Sequence, residues 1–217
     1  MPDVLLFAGP STHGLDRAAL LADGVQLRPP VRRGDVDRLV AAGSAPGVLV
    51  ICDGVFQSVP AVSHAELCAA IDAGWQVWGV SSIGAIRAFE LRDEGMRGFG
   101  YVYDQLSRHD DFTDDEMCLL HFPEDPWFPL TEALVNLRHA LEVHGASLGI
   151  SAEAGARAVA TLSRAWFGDR SPEFMQQALV DAGVPRSDAE ALLAWTAAHR
   201  IKSLDLWRLM QLRPWLR

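Results

Sequence analysis

In the first half of the chain the apolar residues fall into short unbroken runs. In the second half they recur at helical spacing. Residues 4–9 (VLLFAG), 47–52 (GVLVIC) and 75–80 (WQVWGV) are apolar almost without interruption, the pattern of strands covered on both faces of a parallel sheet. Residues 25–28 (VQLR) make a shorter strand, stopped by Pro29-Pro30. Between these runs, residues 15–23, 34–43 and 63–74 space their apolar positions as helices do. The last of these starts with Ser63 or His64 near its N-cap and Glu66 in its first turn, and ends at Gly74. A further helix is predicted over 84–91. Strands separated by helical stretches of about ten residues predict βαβ units. Ligand sites in such sheets lie beyond the carboxyl ends of the strands. Those ends carry AGPSTHG (8–14), CDGVFQS (52–58) and GVSSIG (79–84), so all three segments are expected at one edge.

From 92 to 130 the pattern weakens into Gly, Pro and acids, with a short helix at 101–107, an acidic turn at 109–116 and a Pro-rich loop at 123–130. Helical patterns then cover 131–146, 151–167, 171–183, 185–200 and 203–212. Ser151 and Ser171-Pro172-Glu173 give ordinary N-terminal signals. The predicted fold class is α/β. A mainly parallel sheet with flanking helices forms the N-terminal half, followed by an all-helical C-terminal region packed on it. The expected divisions are an α/β core at 1–95, an irregular acidic and Pro-rich connection at 96–130, and a helical region at 131–217 that carries Lys202, the three forming one integrated domain.

Composition narrows the function classes. With 49% hydrophobic residues in 217, the chain can bury a sizeable core. No apolar stretch reaches the roughly 18–20 residues of a membrane span. The N-terminus reads as a first strand rather than a signal peptide. Cys52, Cys68 and Cys118 are odd in number and form no CxxC pair. They read as small buried hydrophobes in a reducing cytoplasm. The net charge of −9 argues against nucleic acid and suits a protein that meets a basic partner surface. Among 19 Lys and Arg residues, Lys202 is the single lysine. The guanidinium stays protonated, whereas a lysine can serve as a base.

The candidate chemistry centres on serine. GPSTHG lacks the Lys-Ser/Thr of a phosphate loop, and no GxGxxG follows the first strand, so no cofactor is expected. The seven histidines (13, 64, 109, 121, 139, 144, 199) show no metal-ligand spacing, so no metal is expected either. Ser81 and Ser82 stand between a strand and a helix, where a hydroxyl either caps the helix or acts as a nucleophile beside free first-turn amides. Ser82 has Gly84 at +2 but Val80 at −2. Ser81 has Gly79 at −2 but Ile83 at +2. The tight turn into the helix favours Ser82, with the backbone N–H groups of Ile83 and Gly84 as oxyanion donors. Ser11, after the first strand, is a second candidate, and its alternative role is a turn residue. Two activating arrangements are open. One is a triad of serine with His64 and Asp53. The other uses Lys202 as a neutral base, desolvated by Ile201, Leu204, Leu206 and Trp207.

The stretches FAGPS (7–11), RPPVRRGDVDRLV (28–40), DGVFQSVPAVSHAEL (53–67), GVSSIGAIRAFEL (79–91), DDEMCLLH (114–121) and PLTEALVNLR (129–138) resemble the TfuA-like family. FGDR (167–170) and RIKSLDLWRLM (200–210) do so more loosely. Val80 and Ile83 stand where Ala and Met are expected, and Ser63 where Trp is common. The resemblance implies a cytoplasmic accessory protein of peptide thioamidation. Such a protein hydrolyses a thiocarboxylated, ubiquitin-like ThiS-type sulfur carrier and releases sulfide for a YcaO-type partner. It implies a Ser–Lys pair, which carries over here to Lys202 and to a serine within GVSSIGA, taken as Ser82. Arg87 and Arg170 are candidate supports for the anionic substrate, with surface or structural pairing as the alternative for each. Two other readings stay open. One is a non-catalytic adaptor that docks carrier and substrate peptide on the YcaO enzyme. The other is a small-molecule serine hydrolase using Asp53 and His64.

Overall fold

The first of two compact units, residues 1–112 with 202–217, is built on a parallel sheet. The computed structural model describes residues 3–55, 59–109 and 112–216. Parts of two expected segments, 56–58 after the third strand and 110–111 in the acidic turn, lie outside the described residues.

Strands β1 (Val4–Phe7), β2 (Val25–Arg28), β3 (Val48–Ile51), β4 (Gln76–Val80) and β5 (Arg97–Phe99) lie in the order β2-β1-β3-β4-β5, every pair parallel. The apolar runs of β1 and β3 are buried along their whole length, as expected for strands covered on both faces. β5 was not foreseen. Its three residues, Arg-Gly-Phe, bring no apolar run, and the strand exists because it can hydrogen-bond to the edge of β4.

Helices α1 (Arg17–Leu20), α2 (Asp35–Ala41), α3 (His64–Asp72), α4 (Ile83–Glu90), α5 (Tyr101–Arg108), α6 (Leu134–His144), α7 (Ala152–Ser163), α8 (Pro172–Asp181), α9 (Arg186–Ala198) and α10 (Ile201–Leu212) complete the chain. Ser63 caps α3 in a full capping box with Glu66. Alternation along the strands sends Val4, Leu6, Val50, Trp78 and Val80 to one face, where they meet Leu206, Leu209 and Met210 of α10 and Trp215 beyond it. α4 packs on β3 and β4 at a distance only glycine permits. A Cβ on Gly79 would stand 1.9 Å from the Gly84 carbonyl oxygen, and one on Gly84 would stand 1.8 Å from that of Ile51.

The second unit, residues 113–201, is helical. Its core joins Leu134 and Leu137 of α6, Leu162 of α7, Met175 and Leu179 of α8 and Leu192 of α9. The residues after 201 thus group with the sheet rather than with the helices that precede them in sequence.

Candidate active site

A strand order of 2-1-3-4-5 reverses direction between β1 and β3, and the crevice beyond their carboxyl ends is where such sheets bind ligands. Ser11, Cys52 and Asp53 occupy that point. Asp53 is buried. One of its carboxylate oxygens accepts the amides of Gly9 (2.8 Å) and Ser11 (2.9 Å), and the other accepts the Ser11 hydroxyl (2.8 Å). The amides that would hold a phosphate after β1 therefore hold the protein's own carboxylate. The Ser11 hydroxyl is oriented by Asp53 rather than left in a simple turn.

At the end of β4 the two serines differ. Ser82 is the N-cap of α4, yet its side chain makes no capping hydrogen bond. Ser81 sits at φ 66°, and around it the Ser82 amide donates to the Val80 carbonyl at 2.8 Å. That is a one-residue turn with positive φ at a non-glycine, a rare and strained arrangement. Strain of this kind marks the sharp strand-to-helix turn on which nucleophilic serines are presented. The apex belongs to Ser81, not to Ser82 as the sequence pattern favoured. The Gly79 two positions before Ser81 was the signal for it, since only glycine lets α4 come so close. The Ser81 hydroxyl donates to the backbone carbonyl of Lys202 at 2.6 Å.

Lys202, at the second position of α10, is 4% exposed and Ser81 is fully buried. Cys52, read from sequence only as a buried hydrophobe, is fully buried just past the end of β3. The Ser11 and Ser81 hydroxyls lie close enough to act on its thiol. Burial pushes the thiol well above the usual range, and the Asp53 carboxylate adds to this. The two hydroxyls and the Lys202 ammonium act in the opposite direction. Position 52 closes an apolar strand at the sheet's carboxyl edge, the only sequence feature that could have marked it.

α10 has a second anchor one turn further on. Asp205, 1% exposed, accepts the Val102 amide at 3.0 Å at the start of α5. A Cβ on Gly100 would stand 2.4 Å from its carboxyl carbon. Burial pushes this carboxyl up to about 6, against the stabilising amides of Val102 and Tyr101 and the Arg208 guanidinium, while Asp104 adds to the rise.

The remaining sequence candidates are placed as follows. The Gly84 amide is engaged by the Cys52 carbonyl at 3.2 Å, whereas the Ile83 amide has no backbone acceptor among the described residues. Of the two proposed oxyanion donors, only Ile83 is therefore available. His64 pairs with Glu90 at 2.8 Å on the surface, so His64 and Asp53 are not brought together. Arg87 donates to the Val62 carbonyl (3.0 Å) and to Glu90 (2.5 Å), a structural pairing. Arg170, in the helical unit, is fully buried. It donates to the carbonyls of Asp115, Leu162 and Ala165 and to the Asp115 carboxylate. A separate cleft of about 450 Å³, lined by Phe7, Pro30, Leu39 and three arginines (28, 32, 38), contains neither serine nor Lys202. No group of three or more His, Cys, Asp or Glu side chains suited to a metal ion occurs among the described residues. No described helix is long and apolar enough to cross a membrane.

A family model described as TfuA-like protein matches residues 53–171. The matched stretch holds Asp53 and both serines of the β4–α4 turn, and lies between Ser11 and Lys202. No curated protein matches the chain.

Proposed function

From the premise that this chain belongs to the TfuA-like family, we propose that it is a thioamidation accessory hydrolase. It would release sulfide from a thiocarboxylated ubiquitin-like carrier of the ThiS type and supply a YcaO-type enzyme that forms backbone thioamides. The observation that carries this reading is the strained Ser81 turn held against the first turn of the helix that bears the chain's single lysine.

In the proposed reaction Ser81 is the nucleophile. Lys202, in its neutral form, takes the hydroxyl proton as the Ser81 oxygen attacks the thiocarboxylate carbon at the carrier's C-terminus. The oxyanion is met by the Ile83 amide at the positive end of α4. As the C–S bond breaks, Lys202 returns the proton to the departing sulfur, giving hydrosulfide and an acyl-serine. Water, deprotonated by Lys202, then cleaves the ester and restores Ser81. The carrier leaves as a carboxylate. Asp53 fixes Ser11, and the Cys52 thiol is influenced by both serine hydroxyls.

One observation favours a second reading, the non-catalytic adaptor. Ser81 and Lys202 are shielded from solvent, and the Ser81 hydroxyl is already engaged by a carbonyl. Incubating the purified protein with thiocarboxylated carrier, in the absence of any YcaO enzyme, separates the two. The hydrolase yields hydrosulfide and carrier carboxylate with turnover. An adaptor binds the carrier and yields neither.

A further inference from the structure

In the helical unit, residues 119–131 form a two-stranded arm. The Leu130 amide donates to the Leu120 carbonyl at 2.8 Å and the Phe122 amide to the Phe128 carbonyl at 2.9 Å. His121 bridges Pro129 between them in antiparallel fashion. Alternation then puts His121 and Pro129 on one face and Leu120, Phe122, Phe128 and Leu130 on the other. The Phe122 and Phe128 rings lie 6.3 Å apart. These four side chains are 36%, 54%, 54% and 47% exposed, whereas single exposed apolar residues scattered over a surface call for no explanation. The base of the arm is fixed, with the Leu120 amide donating to the buried Thr131 hydroxyl at 2.8 Å. Its turn carries Glu124 and Asp125, both exposed.

We propose that this face docks on the YcaO-type partner, in an apolar groove whose rim carries Arg or Lys. The four-residue ladder supplies the apolar core of the contact, and the acids at the turn select a cationic rim by charge complementarity. A second copy of this chain fits worse. It brings its own acidic turn and another net charge of −9. The partner's identity rests on the function proposed above, while the face and its chemistry rest on the arm alone.

The test measures binding of the purified full-length protein to the purified YcaO-type partner by calorimetry or interferometry. Phe122→Ser/Phe128→Ser weakens binding by about 30-fold or more. Glu124→Lys/Asp125→Lys slows association several-fold and flattens its salt dependence, leaving dissociation within about twofold. Phe122→Gln alone shows the same direction if the double variant melts lower than wild type. Binding of the double variant within threefold of wild type overturns the proposal. So does sedimentation showing a wild-type dimer that the variant loses, or a loss of carrier binding in place of partner binding. Sulfide release from the carrier alone is read in parallel. Its absence in the wild type sinks the hydrolase reading, and the partner-binding result still decides this one.

Discussion

The Ser81 hydroxyl donates to the main-chain carbonyl of Lys202 across 121 positions of sequence. The two residues that the chemistry would pair are therefore tied through backbone, and the lysine's helix cannot shift without disturbing the serine turn.

If that tie serves catalysis, the variants separate cleanly. Lys202→Arg keeps a cation but removes the base, and Ser81→Ala removes the nucleophile. Each lowers sulfide release from the thiocarboxylated carrier by about a hundredfold or more, with carrier binding retained. Ser82→Ala stays within a few-fold of wild type. Undiminished turnover in the Lys202 variant ends the Ser–Lys model, and a dead Ser82 variant moves the nucleophile one residue on.

Positive φ at Ser81 predicts a stability order opposite to the usual one. A residue with a Cβ pays about 1–2 kcal/mol in the left-handed region. Ser81→Gly and Ser81→Ala lose the same hydrogen bond, so their difference isolates the backbone. The Gly variant is expected to be more stable than the Ala variant by about 1 kcal/mol in urea unfolding. Equal midpoints would show that the turn is unstrained.

The close approach of α4 makes a sharper prediction. A methyl at Gly79 or Gly84 meets a carbonyl oxygen at under 2 Å, which only a backbone shift can relieve. Gly79→Ala and Gly84→Ala are each expected to destabilise by about 3 kcal/mol or more. A tolerant Gly79→Ala variant would mean that the helix rests farther from the strand.

Asp205 gives stability a pH dependence. Its carboxyl binds a proton more tightly in the folded chain, at about 6, than at its ordinary 3.8. Its favourable contribution is therefore complete below about pH 4 and is lost as the pH rises through 6. The size is about 3 kcal/mol. Asp205→Asn keeps an acceptor for the Val102 amide but cannot ionise. Its stability changes less than wild type's between pH 4 and 7, and it melts higher at pH 8. Parallel curves for the two proteins would remove Asp205 as the source.

In the helical unit, Arg170 holds together three carbonyls and the Asp115 carboxylate. Arg170→Met leaves these acceptors unpaired, with a loss of about 3 kcal/mol in thermal or denaturant unfolding. A variant as stable as wild type would return Arg170 to the list of functional candidates.

The apolar runs made β1, β3 and β4 legible in the sequence, because a strand covered on both faces leaves a continuous signature. β5 left none, since an edge strand of three residues is specified by its neighbour. The serine-bearing turn was legible too, but not which serine forms its apex. Two adjacent serines are interchangeable in any pattern, and the choice is made by the geometry that the two glycines impose on α4. Lys202 stood out by composition alone. That its helix begins at Ile201 and lies on the sheet depends on contacts across the whole chain, as does the pairing of His64 with Glu90 in place of Asp53.

The return of α10 to the sheet after the entire helical unit gives the molecule an order of completion. During synthesis the strands, Ser11, Asp53 and the Ser81 turn all emerge well before Lys202. Until α10 follows, one sheet face lacks Leu206, Leu209, Met210 and Trp215, and the strained turn lacks the carbonyl that holds its hydroxyl. A nascent chain therefore carries the serine without the lysine. The residues proposed to open a reactive sulfur compound come together only once the helical unit has been made, so on that proposal activity would begin only after the arm at 119–131 has also been made.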